Sequence, residues 1–242
     1  TRVRSSAASD VYKRQVYLYA IPEVHVSDVK IQTLLDDTFT KADLVIDTKA
    51  TKAGKVKITL SKDGKELQSV EETLAEESQY VMKVENPELW SAESPVLYDL
   101  LLEVMDENGQ VTEVIPQRVG FRRFEMKDSI MMLNGKRIVF KGVNRHEFSS
   151  VSGRVVSREE LIKDLVTMKQ NNINAIRTCH YPDASLIYQL CDEYGIYMID
   201  ETNLESHGSW DVAEFTKDYT YVVPHDKPEW LDMMLDLSLI HI

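Results

Sequence analysis

The stretch that decides the fold class is residues 173–201, INAIRTCHYPDASLIYQLCDEYGIYMIDE. Its two apolar segments, 174–180 and 196–201, are continuous rather than alternating in character, which is typical of strands buried on both faces. Between them, apolar residues recur at helical spacing until Gly195, a residue type that commonly ends a helix. The stretch therefore predicts a strand, a helix and a second strand, and the helical crossover predicts that the two strands are parallel.

A strand and a helix of the same kind come before this stretch. Residues 137–144, RIVFKGVN, are predicted to form the strand. Ser157 is predicted to begin the helix, and Glu160 completes a capping box with it. Asp183 is predicted to cap the second helix. The whole region thus predicts β-α-β-α-β, a parallel sheet covered by helices.

Residues 24–125 have the periodicity of strands instead. Val56, Ile58 and Leu60 alternate with polar residues, and the Asn-Gly pair at 108–109 marks a hairpin turn. Short strands separated by turn signals favour an antiparallel β-sandwich. This part offers no candidate catalytic residue, because its polar residues match the water-facing positions of strands.

The charge balance limits the possible partners. The chain has 28 Lys and Arg residues against 40 Asp and Glu, so its formal net charge is 28 − 40 = −12. That charge repels phosphate backbones and anionic lipid surfaces, which disfavours nucleic acid and membranes as partners. No apolar run reaches the length of a bilayer span. The two cysteines, Cys179 and Cys191, are expected to be free core thiols.

Every unusual polar cluster lies at the C-terminal end of one of the three predicted parallel strands. The clusters are Asn144, Arg145, His146 and Glu147 at the end of the first strand, Arg177 and His180 at the end of the second, and Asp200, Glu201, Asn203, Glu205 and His207 at the end of the third. Loops at the carboxyl ends of parallel strands converge on one edge of the sheet, where α/β proteins place their sites. Three clusters at equivalent positions therefore indicate one functional site.

Structural roles stay open for the individual members. Arg177 could pair with Asp200 or Glu201 on the neighbouring strand, because buried charges need partners. Glu205 and His207 stand two positions apart, so both side chains could point to one side of an extended segment and share a metal ion. The same pair could equally be two solvated loop residues.

Four segments carry a resemblance to a known family. They are VGFRRFEM (119–126), LNGKRIVFKGVNRHEF (133–148), INAIRTCHYPD (173–183) and IYMIDETNLESHG (196–208). Together they resemble glycoside hydrolase family 2, specifically its β-galactosidases. Upstream, NPELWSAESPVLYDLLLEV (86–104) resembles the end of that family's immunoglobulin-like domain. The resemblance covers residues 16–236.

The resemblance implies a multidomain fold. Residues 16–125 are expected to form the immunoglobulin-like β-sandwich, and residues 126–236 the first β-α-β-α-β part of a TIM (β/α)8 barrel. Residues 1–15 are expected to be a non-native or disordered tail, and residues 237–242 a non-native one. The chain is thus expected to be a fragment that lacks the family's N-terminal jelly roll and most of its barrel.

The resemblance also implies a reaction, the retaining hydrolysis of terminal β-D-galactosides. In that chemistry one carboxyl group protonates the leaving oxygen and a second attacks the anomeric carbon. His146 and His180 match two histidines that stabilise the transition state. Asn144, Arg177 and Asn203 are expected to have substrate-binding or supporting roles, such as the orientation of carboxylates and loops. No residue matches the acid/base or the nucleophilic glutamate, so this chain is expected to be inactive alone.

Glu205 and His207 match the magnesium ligands of the family. Mg²⁺ prefers oxygen ligands and keeps several waters, so a single imidazole among its ligands is unusual but tolerable. The expected third ligand is the unmatched acid/base glutamate, which leaves the site incomplete in this chain. Na⁺ is a second ion that the resemblance allows for the full-length enzyme. That enzyme is expected to be a homo-oligomer, and bacterial cytoplasm and periplasm would both fit it.

Two other functions stay open. The first is another family 2 specificity, β-glucuronidase or β-mannosidase. The segments GVNRHEF (142–148) and NLESHG (203–208) are the discriminators, since β-glucuronidases are expected to lack the pair Glu205 and His207. The second is a non-catalytic carbohydrate-binding or complementation module that uses the sandwich as its surface. That part has no aromatic platform for sugar apart from Trp90, which is interpreted as a core residue.

Overall fold

The computed structural model describes residues 2–4, 17–202, 206–223 and 227–239. The predicted site residues Asn203 and Glu205 lie outside these ranges, as do most of the predicted N-terminal tail and residues 240–242. The chain divides into two compact units, one built mainly from residues 12–139 and the other mainly from residues 140–242. Residues 192–195 group with the first unit.

The first unit is built from β-strands. These are β1 (Arg2–Arg4), β2 (Tyr17–Tyr19), β3 (Val26–Leu35), β4 (Lys41–Ala50), β5 (Gly54–Lys62), β6 (Lys65–Leu74), β7 (Glu77–Glu85), β8 (Tyr98–Met105), β9 (Val111–Val119), β10 (Phe124–Lys127), β11 (Ile130–Leu133) and β12 (Lys136–Arg137). The antiparallel sheets β3-β4-β7 and β6-β5-β8-β9 supply the seven strands of an immunoglobulin-like sandwich, as predicted. Two smaller antiparallel sheets, β1-β2 and β10-β11-β12, complete the described strands of this unit.

The core of the sandwich follows from the period of two. Val56, Ile58 and Leu60 on β5 are buried, and they belong to one apolar cluster with Leu44 of β4 in the other sheet. Alternate side chains of a strand point to opposite faces, so each sheet has one apolar face that is buried in the core. Trp90 is also buried, as predicted, and its ring is therefore not available to a sugar.

The second unit is α/β. Its elements are β13 (Gly142–Arg145), α1 (Arg158–Gln170), β14 (Ala175–Thr178), α2 (Ser185–Tyr194), β15 (Tyr197–Ile199), α3 (His207–Thr216) and α4 (Leu231–Leu239), with 3-10 turns at Tyr219–Tyr221 and Pro228–Trp230. The three strands are parallel and lie in the order β13-β14-β15, which confirms the predicted β-α-β-α-β arrangement. Within the described ranges this sheet does not close into a barrel.

The first parallel strand is shorter than predicted. A strand was expected over 137–144, but β13 begins at Gly142, and Arg137 instead pairs with β11. At Lys141 the side chain of Asn174 replaces one backbone partner, and the regular ladder begins at Gly142. The Asn174 N–H donates to the Lys141 carbonyl (3.0 Å), and Asn174 Oδ1 accepts from the Lys141 N–H (2.7 Å).

The two main helices begin in different ways. Ser157 Oγ accepts from the Glu160 N–H (3.2 Å) and the Glu160 carboxylate accepts from the Ser157 N–H (2.9 Å), which confirms the predicted capping box. The prediction that Asp183 caps α2 is wrong. Asp183 Oδ2 accepts from Arg145 (2.8 Å), and the Ala184 N–H donates to Glu147. The N–H group at the start of this helix therefore donates to a carboxylate from a distant segment, which a local sequence pattern cannot reveal.

The predictions about the cysteines and about membrane-spanning segments can be compared with the fold. Cys179 and Cys191 are both buried and unbridged, as expected of core thiols. None of the helices in the described ranges combines the length and the apolar character needed to cross a membrane.

Candidate active site

The supporting residues predicted at the first two strand ends lie side by side. Asn144 of β13 and Arg177 of β14 are register partners in the parallel ladder. Arg177 Nη1 donates to Asn144 Oδ1 over 3.4 Å, a long hydrogen bond. The parallel register therefore brings together two residues that stand 33 positions apart in the sequence.

Glu201, which follows β15, contacts two other members of this group, Arg177 and His180. Arg177 Nε donates to Glu201 Oε1, and His180 Nδ1 lies 2.9 Å from Glu201 Oε2. The Glu201 N–H donates to Thr178 Oγ1 (2.8 Å) and so ties the end of β15 to β14. Burial would raise the pKa of Glu201, but the hydrogen bonds from His180 and Arg177 outweigh it and hold that pKa below its ordinary value. Of the two partners predicted for Arg177, Glu201 is the one observed.

His146 and His180 come together at the same edge of the sheet. Their ring centroids are 5.8 Å apart with an interplanar angle of 86°, an edge-to-face contact. His146 also lies beside Tyr181, with 6.2 Å between the ring centroids. His146 is exposed and His180 is half-buried, so both imidazoles remain accessible to a ligand.

A cavity of about 620 Å³ opens beside Glu201. Its lining residues are Arg177, His180, Asp200, Glu201, Thr202, His207 and Trp210. Small-molecule sites commonly have volumes of roughly 300 to 1,000 Å³. The second predicted cluster and part of the third therefore share one cavity of suitable size. Trp210, whose indole is half-exposed, is a lining residue that no sequence pattern singled out.

His207 is the first residue of α3 and lies at the wall of this cavity. Its Nε2 lies 3.3 Å from Asp211 Oδ1, one turn later on the same helix. Its ring stacks on Trp210, with 6.0 Å between centroids and an interplanar angle of 27°. The imidazole is largely exposed, so an ion or ligand in the cavity can reach it.

The predicted magnesium site is described only in part, because Glu205 lies outside the described residues. In the ranges that the structure covers, no three His, Cys, Asp or Glu side chains are grouped so that they could hold a metal ion. Asp200 and Glu201, the carboxylates that share the cavity with His207, already accept hydrogen bonds from neighbouring side chains. The described donors fit Mg²⁺ only together with Glu205, so the ion stays a prediction.

A buried ion cluster adjoins the strand ends. Arg145 is only 6% exposed, and it donates to Asp183 over 2.8 Å and to Asp164 of α1 over 3.1 Å. Glu147 is also buried and accepts the Ala184 N–H. The sequence grouped Arg145 and Glu147 with the functional cluster. In the structure both instead tie α1 and the start of α2 to the segment that carries β13.

Asp183 is a buried acid with an unusual pKa. Burial and the neighbouring charge of Glu147 raise its pKa to about 7, against the opposing effect of Arg145. Its Oδ1 has no hydrogen-bond partner among the residues that the structure describes. This carboxyl group therefore changes its charge near neutral pH.

The cavity is rich in groups that form directional hydrogen bonds. Imidazole, carboxylate and hydroxyl groups line it together, and each can pair with the hydroxyl groups of a ligand. Imidazoles can also stabilise charge that develops on oxygen as a bond breaks. This set of groups suits a carbohydrate.

Two family profiles match the chain in order. The profile described as "Glycosyl hydrolases family 2" matches residues 24–122, and the profile described as "Glycosyl hydrolases family 2, TIM barrel domain" matches residues 124–241. The first match falls on the sandwich, and the second includes the parallel sheet and its helices. The same family thus accounts for both kinds of structure in the chain.

The curated proteins similar to this chain in sequence include β-galactosidases. The chain is 46% identical over 232 residues to a β-galactosidase of Halalkalibacterium halodurans and 47% identical over 228 residues to one of Streptococcus thermophilus. These matches cover 93% and 92% of the chain. The chain in turn spans only 23% and 22% of the length of these relatives.

Solved structures with a similar fold include two β-glucuronidases. β-Glucuronidase 3 of Bacteroides uniformis gives a TM-score of 0.68 at 30% identity, over 74% of this chain and 23% of its own. The Bifidobacterium dentium β-glucuronidase complexed with coumarin-3-O-glucuronide gives 0.69 at 26% identity, over 74% of this chain and 31% of its own. Because both of its units match in order and at these identities, the chain is a member of glycosyl hydrolases family 2.

Proposed function

We propose that this chain is part of a β-galactosidase that hydrolyses terminal β-D-galactosides with retention at the anomeric carbon. The observation that carries the proposal is the group of side chains at the strand ends. Arg177, His180 and Glu201 line one cavity there, and His146 lies against His180. Identities of 46% and 47% with two β-galactosidases, over more than nine-tenths of the chain, support the same substrate class.

The two histidines act on the sugar itself in this proposal. His146 and His180 would form hydrogen bonds with sugar hydroxyls near the reacting carbon, where such bonds strengthen as charge develops. Asn144, Arg177 and Asn203 would orient these groups. Retaining hydrolysis also needs an acid/base and a nucleophilic carboxyl group. No residue of this chain matches either position, so both would come from other parts of the enzyme.

Mg²⁺ belongs to the proposal through Glu205 and His207. When bound, the ion would supply a local positive charge that shifts the pKa of acids close to it. Asp211, which contacts the His207 ring, would then fix its orientation, as carboxylates commonly do for metal-binding imidazoles.

β-Glucuronidase is the second candidate, because solved structures similar to this chain include β-glucuronidases. A glucuronide carries a carboxylate, which would need a positively charged partner in the sugar pocket. Arg177 lines the described cavity, but Glu201 already neutralises its charge. The charge balance of this cavity therefore favours a neutral sugar.

Turnover by the polypeptide encoded by the complete reading frame that contains these residues separates the two candidates. We expect kcat/KM for 4-nitrophenyl β-D-galactoside to exceed that for the β-D-glucuronide by at least about 100-fold, because Arg177, the arginine lining the described cavity, is already paired with Glu201. The reverse preference would replace the proposal with β-glucuronidase, and turnover of neither substrate would remove both candidates. The 242-residue chain alone should hydrolyse neither compound.

A further inference from the structure

We infer that Glu201 is a positioning residue, which holds His180 in one tautomer and so decides what its ring offers to the sugar. His180 Nδ1 lies 2.9 Å from Glu201 Oε2, within hydrogen-bond distance. A carboxylate oxygen can only accept, and two lone pairs would repel each other at this distance. The proton must therefore lie on Nδ1, and Nε2 is the ring nitrogen left for a ligand.

The second polar neighbour of this nitrogen does not change the assignment. Arg177 Nη2 lies 3.3 Å from His180 Nδ1, a longer contact than the one to Glu201. If Nδ1 accepted from Arg177, its lone pair would also face Glu201 Oε2 at the shorter distance. Arg177 has a better acceptor in Glu201 Oε1, to which its Nε donates. Each oxygen of Glu201 thus has its own donor, and one carboxylate orders both side chains.

The tautomer determines the chemistry that His180 can perform. A neutral imidazole with its proton on Nδ1 can only accept at Nε2. On the proposed function, on which this inference rests, neutral His180 accepts a hydrogen bond from a sugar hydroxyl rather than donating one. Burial works against the ionised form of Glu201, but the hydrogen bonds from His180 and Arg177 keep its pKa below the ordinary value. The carboxylate that fixes the tautomer therefore stays ionised at neutral pH.

The test is to observe the tautomer directly. Long-range ¹H–¹⁵N spectra of the 242-residue chain, labelled with ¹⁵N-histidine and recorded at alkaline pH, report which ring nitrogen of each neutral imidazole carries the proton. The His180 signals are assigned by their loss in His180→Gln. In the wild-type chain we expect the Nδ1–H form.

Glu201→Gln should invert this tautomer. Arg177 can only donate, so the amide oxygen of the new side chain will face it, and the amide NH2 will then face His180 Nδ1. His180 must accept from that NH2, which moves its proton to Nε2. Glu159→Gln, at an exposed carboxylate in the first turn of α1, is the matched control and should leave the Nδ1–H form unchanged.

Two results would overturn the inference. One is an Nε2–H form of His180 in the wild-type chain. If Glu201→Gln fails to fold, this wild-type spectrum alone is sufficient to test the inference. The other is an Nδ1–H form that persists in Glu201→Gln and in Glu201→Ala, which has no acceptor at all. The spectra contain no substrate, so their outcome is independent of whether the complete enzyme hydrolyses galactosides.

Discussion

His180 Nδ1 lies 2.9 Å from Glu201 Oε2, although the two residues stand 21 positions apart at the ends of neighbouring strands. The parallel register of β14 and β15 produces this contact, because it brings both strand ends to one edge of the sheet. Arg177 donates to the same carboxylate. The described cavity therefore presents Arg177 against the two carboxylates of Asp200 and Glu201, a balance that suits a neutral polar ligand better than an anion.

Arg145 should be important for the stability of the second unit. Arg145 is a cation that faces the fully buried side chain of Asp183, so Arg145→Met leaves this acid without its charged partner, and it must either stay ionised unpaired or take up a proton. At about pH 8, where Asp183 is ionised, we expect hydrogen exchange of the α1 amides to show a loss of about 3–5 kcal/mol in the free energy of opening. Arg158→Met, at an exposed position of the same helix, should change it by less than about 0.5 kcal/mol. Equal losses in the two variants would contradict this role for Arg145.

Asp183 should make stability depend on pH near neutrality. Its pKa rises from 3.8 to about 7 on folding, so between these values the folded state binds more protons than the unfolded state. The free energy of unfolding therefore falls as the pH rises through this window and levels off above it. Asp183→Asn does not titrate at this position. Relative to this variant, the free energy of unfolding of the wild-type chain should fall by roughly 2–4 kcal/mol between about pH 4 and pH 8.

Urea unfolding, followed by backbone NMR signals of the second unit, measures this difference. The exposed Asp232 provides the control, since Asp232→Asn should track the wild-type chain across the same range. A gap between the wild-type chain and Asp183→Asn that grows in favour of the wild-type chain with rising pH would show that the pKa shift has the opposite sign.

Mg²⁺ should bind the 242-residue chain weakly. Only Glu205 and His207 are proposed as protein ligands, and Mg²⁺ gives up its waters reluctantly. We expect titration calorimetry to give a dissociation constant on the order of 1 mM or weaker. His207→Ala should remove any heat of binding that remains. Micromolar affinity would mean that the site has a further ligand, and binding that survives His207→Ala would exclude His207 from the site.

Local patterns in the sequence were sufficient for the sandwich strands and for the β-α-β-α-β order, but not for the start of β13 or the start of α2. The capping box of Ser157 and Glu160 and the alternation of Val56, Ile58 and Leu60 involve residues two or three positions apart, so period and capping chemistry determine them. The convergence of the polar clusters at one edge of the parallel sheet was also predictable, from the strand order. Strand order and chain direction determine which ends meet.

The contacts within the candidate site could not be predicted in this way. Arg145 pairs with Asp183, 38 positions away, and this pairing depends on packing rather than on any local period. The sequence therefore grouped Arg145 with functional residues, and it offered Glu201 only as one of two possible partners of Arg177, without its contact to His180. Asn203 and Glu205 lie outside the described residues, and their roles stay predictions.

The central claim is that the polar group at the strand ends binds the galactoside. Its most direct test is kcat/KM for 4-nitrophenyl β-D-galactoside, measured for His180→Ala in the polypeptide encoded by the complete reading frame, beside Glu159→Gln as the control. We predict a loss of about 100- to 1,000-fold for His180→Ala, the size expected when one hydrogen bond to the transition state is removed, and a change of less than about twofold for the control. A His180→Ala enzyme that hydrolyses the galactoside as fast as the wild type would contradict the claim.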